Sequence, residues 1–376
     1  MQSLRLIHIT PELPPTIGGI ADYTSILSRR LVEVSDGAIQ PLLVRAGWKK
    51  GEAIDAEFPA KDLAGQCSAK SLANTISKLA GQTENKAVVL LEYSGYGYAK
   101  RGAPMWLLRG LQKVCEKDDI PLVTMFHELY ANGKPWSSAF WMSPLQRYVA
   151  ARLAKLSNAV VTNREQSAQW LQKYVSDDKP LHVQPVFSNV GEPESVPPFE
   201  EREPYAVVFG GEGMKQRLYS EWEDSIDSFL QEVGIEKIID IGGTDKTVQK
   251  LERFPVETVG IQLASAIGEY MKNAQLGLID YPLDRLTKSG VFSAYMAYGL
   301  NICVRAETGD PAPLKEGVHF MRFQATHPAK FKNLGVKAFE FYQNHVGSFY
   351  SAKLFKGILS RESSGVKNSK LMKSNE

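Results

Sequence analysis

The chain has 376 residues, 43% of them hydrophobic and 23% charged, with a formal net charge of only +2. That length exceeds one ordinary core and points to two domains, at about 150 residues per domain. The near-neutral balance excludes an overall field for nucleic acid. The three cysteines, Cys67, Cys115 and Cys303, are far apart and odd in number. They form neither a disulfide framework nor a metal-ligand spacing, so a reducing cytoplasm is the simplest setting. Residues 1–10 lack the apolar region and cleavage site of a signal peptide, and no run approaches the ~18 apolar residues of a membrane helix. The expectation is a soluble cytoplasmic protein, at most peripheral to the inner face of a membrane.

Short β-rich apolar runs lie at 4–10, 41–44, 87–92, 121–126, 159–162 and 182–187, with helical patterns between them, among them 21–34, 71–79 and 145–156. The second half repeats the scheme, with strands expected at 205–209, 237–241, 256–260, 276–280 and 301–304. Strand–helix alternation with near-continuous apolar strands argues for parallel, doubly wound α/β sheets. Between the halves, 190–204 reads VGEPESVPPFEEREP, with four prolines and six charged residues. That is a linker composition, and it joins the halves near residue 195. The expected organisation is a Rossmann-like domain over 1–192, a second over 203–330, helices over 331–360 crossing back onto the first domain, and a disordered Ser-, Lys- and Asn-rich tail over 361–376. Two such sheets in series would face a central cleft. Ligands of open α/β sheets sit outside the carboxyl ends of the strands, where helix N-termini offer N–H groups to phosphates.

The first loop, PELPPTIGGIADYTSIL, places Gly18 and Gly19 where a helix opens. They serve either close backbone approach to a ligand or turn geometry alone. After 121–126 comes FHELYANGKPW. His127 at a strand's carboxyl end can hydrogen-bond a sugar hydroxyl or move a proton, or it is a satisfied surface histidine. Tyr93, Tyr96 and Tyr98 in EYSGYGYAKRG either stack on a sugar or lipid acceptor or pack a long loop. In 135–156, Trp136, Phe140 and Trp141 precede the helical run that bears Arg147, Arg152 and Lys155. Aromatic-plus-basic patterns can lie on a membrane surface. The patch is short, so a core-facing aromatic cluster with a solvated basic face is the preferred reading.

In the second half, FGGEGMKQR brings Gly210 and Gly211 for close approach, and Lys215 and Arg217 to neutralise a diphosphate. The loop over 241–246, IGGTDK, adds Gly243 in a second glycine pair on the same sheet edge. Then LIDYPLDRLTKSGVFSAYMAYGLNICV places Lys288, Ser289 and Gly290 at the start of a helix that stops at Gly299. A cation, a hydroxyl and unpaired N–H groups there suit a diphosphate. The alternative is plain capping by Ser289.

Taken in order, the GGIADYT loop, the FHELYA…PW…FW.SPLQR block and the YP…KSGVF.AYMAYG block resemble bacterial glycosyltransferases of the family 4 (group 1) type, which have the GT-B fold and are often associated with surface polysaccharide synthesis. The resemblance spans residues 4–304. It implies that Gly18 and Gly19 lie under the donor diphosphate and that His127 sits near the transferred sugar. Lys215 and Arg217 would meet the donor phosphates together with Gly210, Gly211 and Gly243. Lys288, Ser289, Gly290 and Val291 would meet the phosphates and ribose. Asp22, Tyr23, Tyr96, Glu128 and Trp136 are expected on the acceptor side. One departure stands out: many relatives carry two glutamates eight positions apart in the last block, and the equivalents here are Leu286 and Ala294.

The resulting expectation is a hexosyltransferase using a nucleotide diphosphate sugar, with His127, Lys215 and Arg217 as its catalytic groups. It would act on a saccharide or lipid-linked acceptor, in polysaccharide or glycoconjugate synthesis, with retention as in most relatives. No cofactor and no metal are expected, since there is no Asp-x-Asp motif and basic residues supply the counter-charge. Nucleic acid is not an expected partner. The competing reading is a non-catalytic GT-B protein binding nucleotide or glycan as a partner subunit, motivated by the missing glutamates. An NAD enzyme or nucleotide-sugar epimerase is disfavoured because no G-x-G-x-x-G opens the first helix.

Overall fold

A computed structural model describes the chain except for residues 1–2, 17, 83–85, 221–223, 244–253, 307–308, 324–332 and 365–376. The chain divides into two compact units. One comprises Met1–Gln184 with Ser351–Glu376, the other Pro185–Tyr350.

The first unit is built on a seven-stranded sheet of order β3-β2-β1-β4-β5-β6-β7. Its strands are β1 (Leu4–Thr10), β2 (Ile39–Arg45), β3 (Ala60–Asp62), β4 (Lys86–Ser94), β5 (Leu122–Glu128), β6 (Ala159–Thr162) and β7 (Leu181–Val183). Every pairing is parallel, with Leu4 opposite Ile39 on one side and Lys86 on the other. The helices are α1 (Gly19–Val34), α2 (Ala69–Ala80), the short α3 (Gly95–Tyr98), α4 (Met105–Lys117), α5 (Ser138–Leu156) and α6 (Glu165–Leu171). Side chains alternate across a strand, and the two faces differ in chemistry. Ile7, Ile9, Val89, Leu91 and Tyr93 pack with Leu72, Ile76, Leu107 and Leu111 of α2 and α4 in an apolar core. Their strand neighbours His8, Thr10 and Glu92 are equally buried but polar.

Helix α5 begins at Ser138, seven residues before the pattern starting at 145, with Ser137 capping it by accepting the Phe140 N–H. Phe140 and Trp141 therefore stand inside the helix and do not precede it. The early turns escape the sequence reading because Pro144 interrupts them, and proline is a helix breaker in ordinary pattern logic.

The second unit carries a six-stranded, all-parallel sheet of order β10-β9-β8-β11-β12-β13. Its strands are β8 (Glu203–Phe209), β9 (Lys237–Ile241), β10 (Val256–Gly260), β11 (Ala274–Asp280), β12 (Asn301–Arg305) and β13 (Met321–Arg322). Helices α7 (Glu212–Ser220), α8 (Asp224–Glu232), α9 (Ala264–Asn273) and α10 (Gly290–Ala297) follow in chain order, then the helix Leu334–His345. Both sheets have the Rossmann order, with the switch point between β1 and β4 in one unit and β8 and β11 in the other.

The 190–204 segment reads as a linker by composition, yet the boundary falls earlier, after Gln184, and the segment packs into the second unit. Arg202 is buried and donates to the carbonyls of Pro197, Ala274 and Tyr298. The Glu192 carboxylate accepts from the Tyr342 and Ser348 hydroxyls and from the Ser348 N–H. Charged residues signal solvent only when no internal partner awaits them. The last helix, Ser348–Ser364, runs three residues beyond 361, where a tail was expected to begin. Within the first unit, Ser351 on this helix meets Gln184 and Lys356 meets the Val34 carbonyl. The rest of the expected tail, 365–376, lies outside the described residues, as do 331–332 of the expected C-terminal helices.

Candidate functional site

In the first unit the loops at the carboxyl ends of β1, β4 and β5 hold the predicted residues. His127 ends β5 beside the last residue, Glu128. Its Nε2 lies 2.7 Å from Glu92 Oε2, while Glu92 Oε1 lies 2.7 Å from His8 Nε2. His8 Nδ1 is 2.9 Å from the Ser28 hydroxyl on α1. Glu92 is fully buried. Burial pushes its carboxyl up, but the hydrogen bonds from His127 and His8 outweigh this and hold it below the usual carboxylate range. An ionised carboxylate only accepts, so each imidazole must present Nε2–H to it. His8 Nδ1 pairs with the Ser28 hydroxyl, and Nδ1 of His127 is the ring nitrogen that Glu92 does not engage. A carboxylate that fixes the tautomer of a histidine in this way makes it a base or a hydroxyl contact.

Tyr23 of α1 packs edge-on against His127, with ring centroids 4.9 Å apart at 85°. Tyr23 is buried, and desolvation holds its phenol far above its ordinary value. Asp22 lies in the first turn of the same helix. The Ser94 hydroxyl donates to Glu128 Oε2 at 3.3 Å. Tyr96 in α3 is exposed, and its hydroxyl accepts from Gln146 at 3.2 Å. Trp136 stands apart in the segment before α5, exposed and under the Lys134 ammonium.

The N-terminus of α1 departs from the expected phosphate cradle. The Glu12 carboxylate accepts the Ala21 N–H there, and burial raises its pKa. A Cβ on Gly18 would come within 2.3 Å of Glu12 Oε1. The glycine thus makes room for the protein's own carboxylate. With Asp22 one turn on, this end of α1 already holds acidic side chains of the protein's own, one of them taking up a first-turn N–H.

In the second unit, the glycine loops after β8 and β9 converge. Gly210 has φ +147 and Gly242 φ +112, and a Cβ on Gly242 would lie 2.7 Å from the Gly210 carbonyl. A Cβ on Gly210 would stand 3.6 Å from Val291 at the start of α10. Gly211 and Gly243 face open space. The rest of the second loop, 244–246, lies outside the described residues.

The two cations behave differently. Lys215 is fully buried, and its ammonium donates to Asp240 at 2.6 Å. Tyr219 donates to the other oxygen of Asp240, also at 2.6 Å. Lys215 therefore braces β9 against α7 from below the glycine loops, where its charge does not reach solvent. Arg217 remains outside: its side chain is 52% exposed. It donates to Asp280 Oδ1 at 3.0 Å, and Arg305 donates to Asp280 Oδ2 at 2.6 Å. One carboxylate at the end of β11 thus orients two guanidinium groups.

Ser289 caps α10 by accepting the Phe292 N–H at 3.2 Å. The eight residues before it are not a plain loop, since Leu283–Lys288 forms a 3-10 helix. Gly290 lies against Asn189, where a Cβ would be 3.3 Å from the amide oxygen. Leu286 and Ala294, the positions where relatives carry glutamates, are both fully buried. Sequence reasoning missed Glu92, His8, Asp280 and Arg305. Each sits on a strand that reads as apolar, and only parity along the strand hints that its side chain leaves the main core. Within the first unit, a depression of about 880 Å³ lies at the amino ends of β4 and β5, lined by Lys86, Asp118 and Lys179, at the opposite edge of that sheet from His127. Among the described residues no group of three or more His, Cys, Asp or Glu is arranged to hold a metal ion.

No protein-family model matches the sequence, and no curated protein matches it. Solved structures do. A glycosyltransferase from Rickettsia africae aligns with TM-score 0.62 at 10% identity, over 97% of this chain and 100% of that one. Sucrose-phosphate synthase from Thermosynechococcus elongatus gives 0.61 at 14%, over 96% and 99%. HepE from Anabaena, solved in complex with UDP, gives 0.60 at 12%, over 96% and 100%. Two parallel Rossmann-like sheets in series, together with these neighbours, define the GT-B fold of glycosyltransferases.

Proposed function

We propose that the chain is a glycosyltransferase of the family 4 type that moves a hexose from a nucleotide diphosphate sugar to a saccharide or lipid-linked saccharide acceptor, with retention and without a metal. The observation that carries this reading is the carboxyl edge of the second sheet. There two glycine loops, the start of α10 and the exposed Arg217 gather at the Rossmann switch point. A diphosphate leaving group needs positive charge and N–H donors as its bond to the sugar breaks. Arg217, seconded by Arg305, supplies the charge, and the Gly290 and Val291 N–H groups at the α10 terminus supply donors. Lys215 contributes by holding the glycine loops through Asp240. UDP in the HepE complex makes a uridine donor the first to try.

In the first unit, His127 meets the transferred sugar or the acceptor hydroxyl through Nδ1. Tyr96, Glu128 and Trp136 recognise the acceptor, with Asp22 and Glu12 accepting from its hydroxyls. Gly18 and Gly19 serve this hydroxyl-binding end and not the diphosphate. A cytoplasmic setting in polysaccharide synthesis fits the reduced cysteines. The experiment is donor turnover by the purified chain over a panel of nucleotide sugars, with and without saccharide acceptors. Absence of transfer and of donor hydrolysis, together with thermal protection by UDP, favours the competing reading of a non-catalytic nucleotide-binding partner. The burial of Leu286 and Ala294 gives that reading its support. Absence of protection by any nucleotide sinks both.

A further inference from the structure

Helix α5 buries one face and leaves another uncovered. Ser143, Gln146, Val149, Ala150, Leu153 and Ala154 are buried. The opposite face, at helical spacing of four and three residues, carries Trp141, Leu145, Tyr148, Arg152 and Lys155, all exposed. Trp141 is 72% and Trp136, just before the helix, 80% exposed. Large apolar side chains seldom gather on a surface without a partner, so the aromatic residues here are not the core cluster preferred from sequence.

The charged residues of this stretch of chain have one sign. From Leu129 to Arg164 there is no Asp or Glu, while Lys134, Arg147, Arg152, Lys155 and Arg164 contribute five positive charges. The neighbouring loop adds exposed Lys100 and Arg101, whose carbonyl accepts from Gln146 of α5 at 2.8 Å. Along the exposed face, the aromatic residues occupy the N-terminal turns and the cations the C-terminal turns.

We propose that this face of α5 docks on an anionic lipid bilayer. Trp141, Leu145 and Tyr148 enter the headgroup–acyl boundary, where amphipathic aromatic rings are favoured. Arg152 and Lys155 meet lipid phosphates, with their stems along the apolar boundary. A second copy of the chain is a poorer occupant, because it would set the same acid-free patch against itself. The inference is independent of the transfer chemistry.

The test uses the full chain with vesicles of phosphatidylcholine alone or of phosphatidylcholine mixed with phosphatidylglycerol, in a flotation assay at low and high salt. The chain floats with the anionic vesicles, not with the neutral ones, and salt weakens the association. Arg152→Gln lowers the partition constant by about fivefold. Trp141→Ser with Tyr148→Ser removes flotation while the circular dichroism spectrum stays unchanged; Arg152→Gln, a surface change of the same face, stands in should that pair misfold. Equal flotation with neutral vesicles, or none with either, overturns the proposal. So does a dimer in analytical ultracentrifugation that the Trp141/Tyr148 substitutions dissociate, or binding of this face to single-stranded DNA in place of vesicles.

Discussion

Lys215→Ala separates a cation that binds ligand from one that holds the fold. In the folded chain the Lys215 ammonium and the Asp240 carboxylate are both fully buried at 2.6 Å, with Tyr219 on the second carboxylate oxygen. Removing the lysine leaves a carboxylate in the interior with one hydroxyl donor and no counter-charge. Breaking a buried pair from one side costs about 3–5 kcal/mol, a large share of the ~5–15 kcal/mol that holds an ordinary domain. For a unit of this size each kcal/mol lowers the melting midpoint by about 2–4 °C, so a fall of roughly 6–20 °C is expected. Differential scanning calorimetry reads it directly. Lys215→Met combined with Asp240→Asn keeps volume, removes the unpaired charge and leaves an acceptor for Tyr219, so it should recover most of the loss. A single variant that melts within about 2 °C of the parent, with nucleotide protection lost, would refute the reasoning and return Lys215 to the phosphates.

Arg217→Ala should behave in the opposite way: a melting midpoint close to the parent's, because the side chain is half exposed, but UDP affinity weaker by about 10- to 100-fold, as for a lost hydrogen bond to a charged group. Isothermal titration checks it. His127→Ala should lower transfer by about 10²–10⁴-fold with donor affinity retained, measured by steady-state kinetics on full-length chain. For Glu92, whose folded pKa lies below its ordinary value, the stabilisation is present above the ordinary glutamate pKa. It is lost as pH falls through that value toward the folded one. Glu92→Gln should therefore flatten the acid limb of urea stability measured between about pH 6 and pH 3; an unchanged acid limb contradicts the assignment. His8→Ala, acting through Glu92, should shift the pH profile of transfer by way of His127 without changing donor affinity.

Much of the fold is legible in the residues themselves. Apolar runs such as those at 4–10 and 276–280, separated by helical patterns, specify parallel sheets because strands covered on both faces must be apolar along their length. The positions of the loops follow from that alternation, and so does the list of residues that reach the carboxyl ends: His127, Gly210, Arg217 and Ser289. Capping of α10 by Ser289 is likewise local chemistry, readable from one hydroxyl three residues before Phe292.

What tertiary structure alone decided is which of those groups are still available to a ligand. Lys215 and Arg217 are two residues apart in the same helix, a separation of about 200° around its axis, so one turns inward to Asp240 and the other outward beside Asp280. Gly18 belongs to a helix start that Glu12 already occupies. Glu92 joins His8 to His127 across 84 and 35 positions of sequence, and the aromatic residues of α5 face solvent rather than core. Each outcome depends on a partner brought in from a distant strand or helix, or on the lack of covering chain. Periodicity and local propensity carry no information about such pairings, whereas they carry most of it about which segments are strands and which are helices.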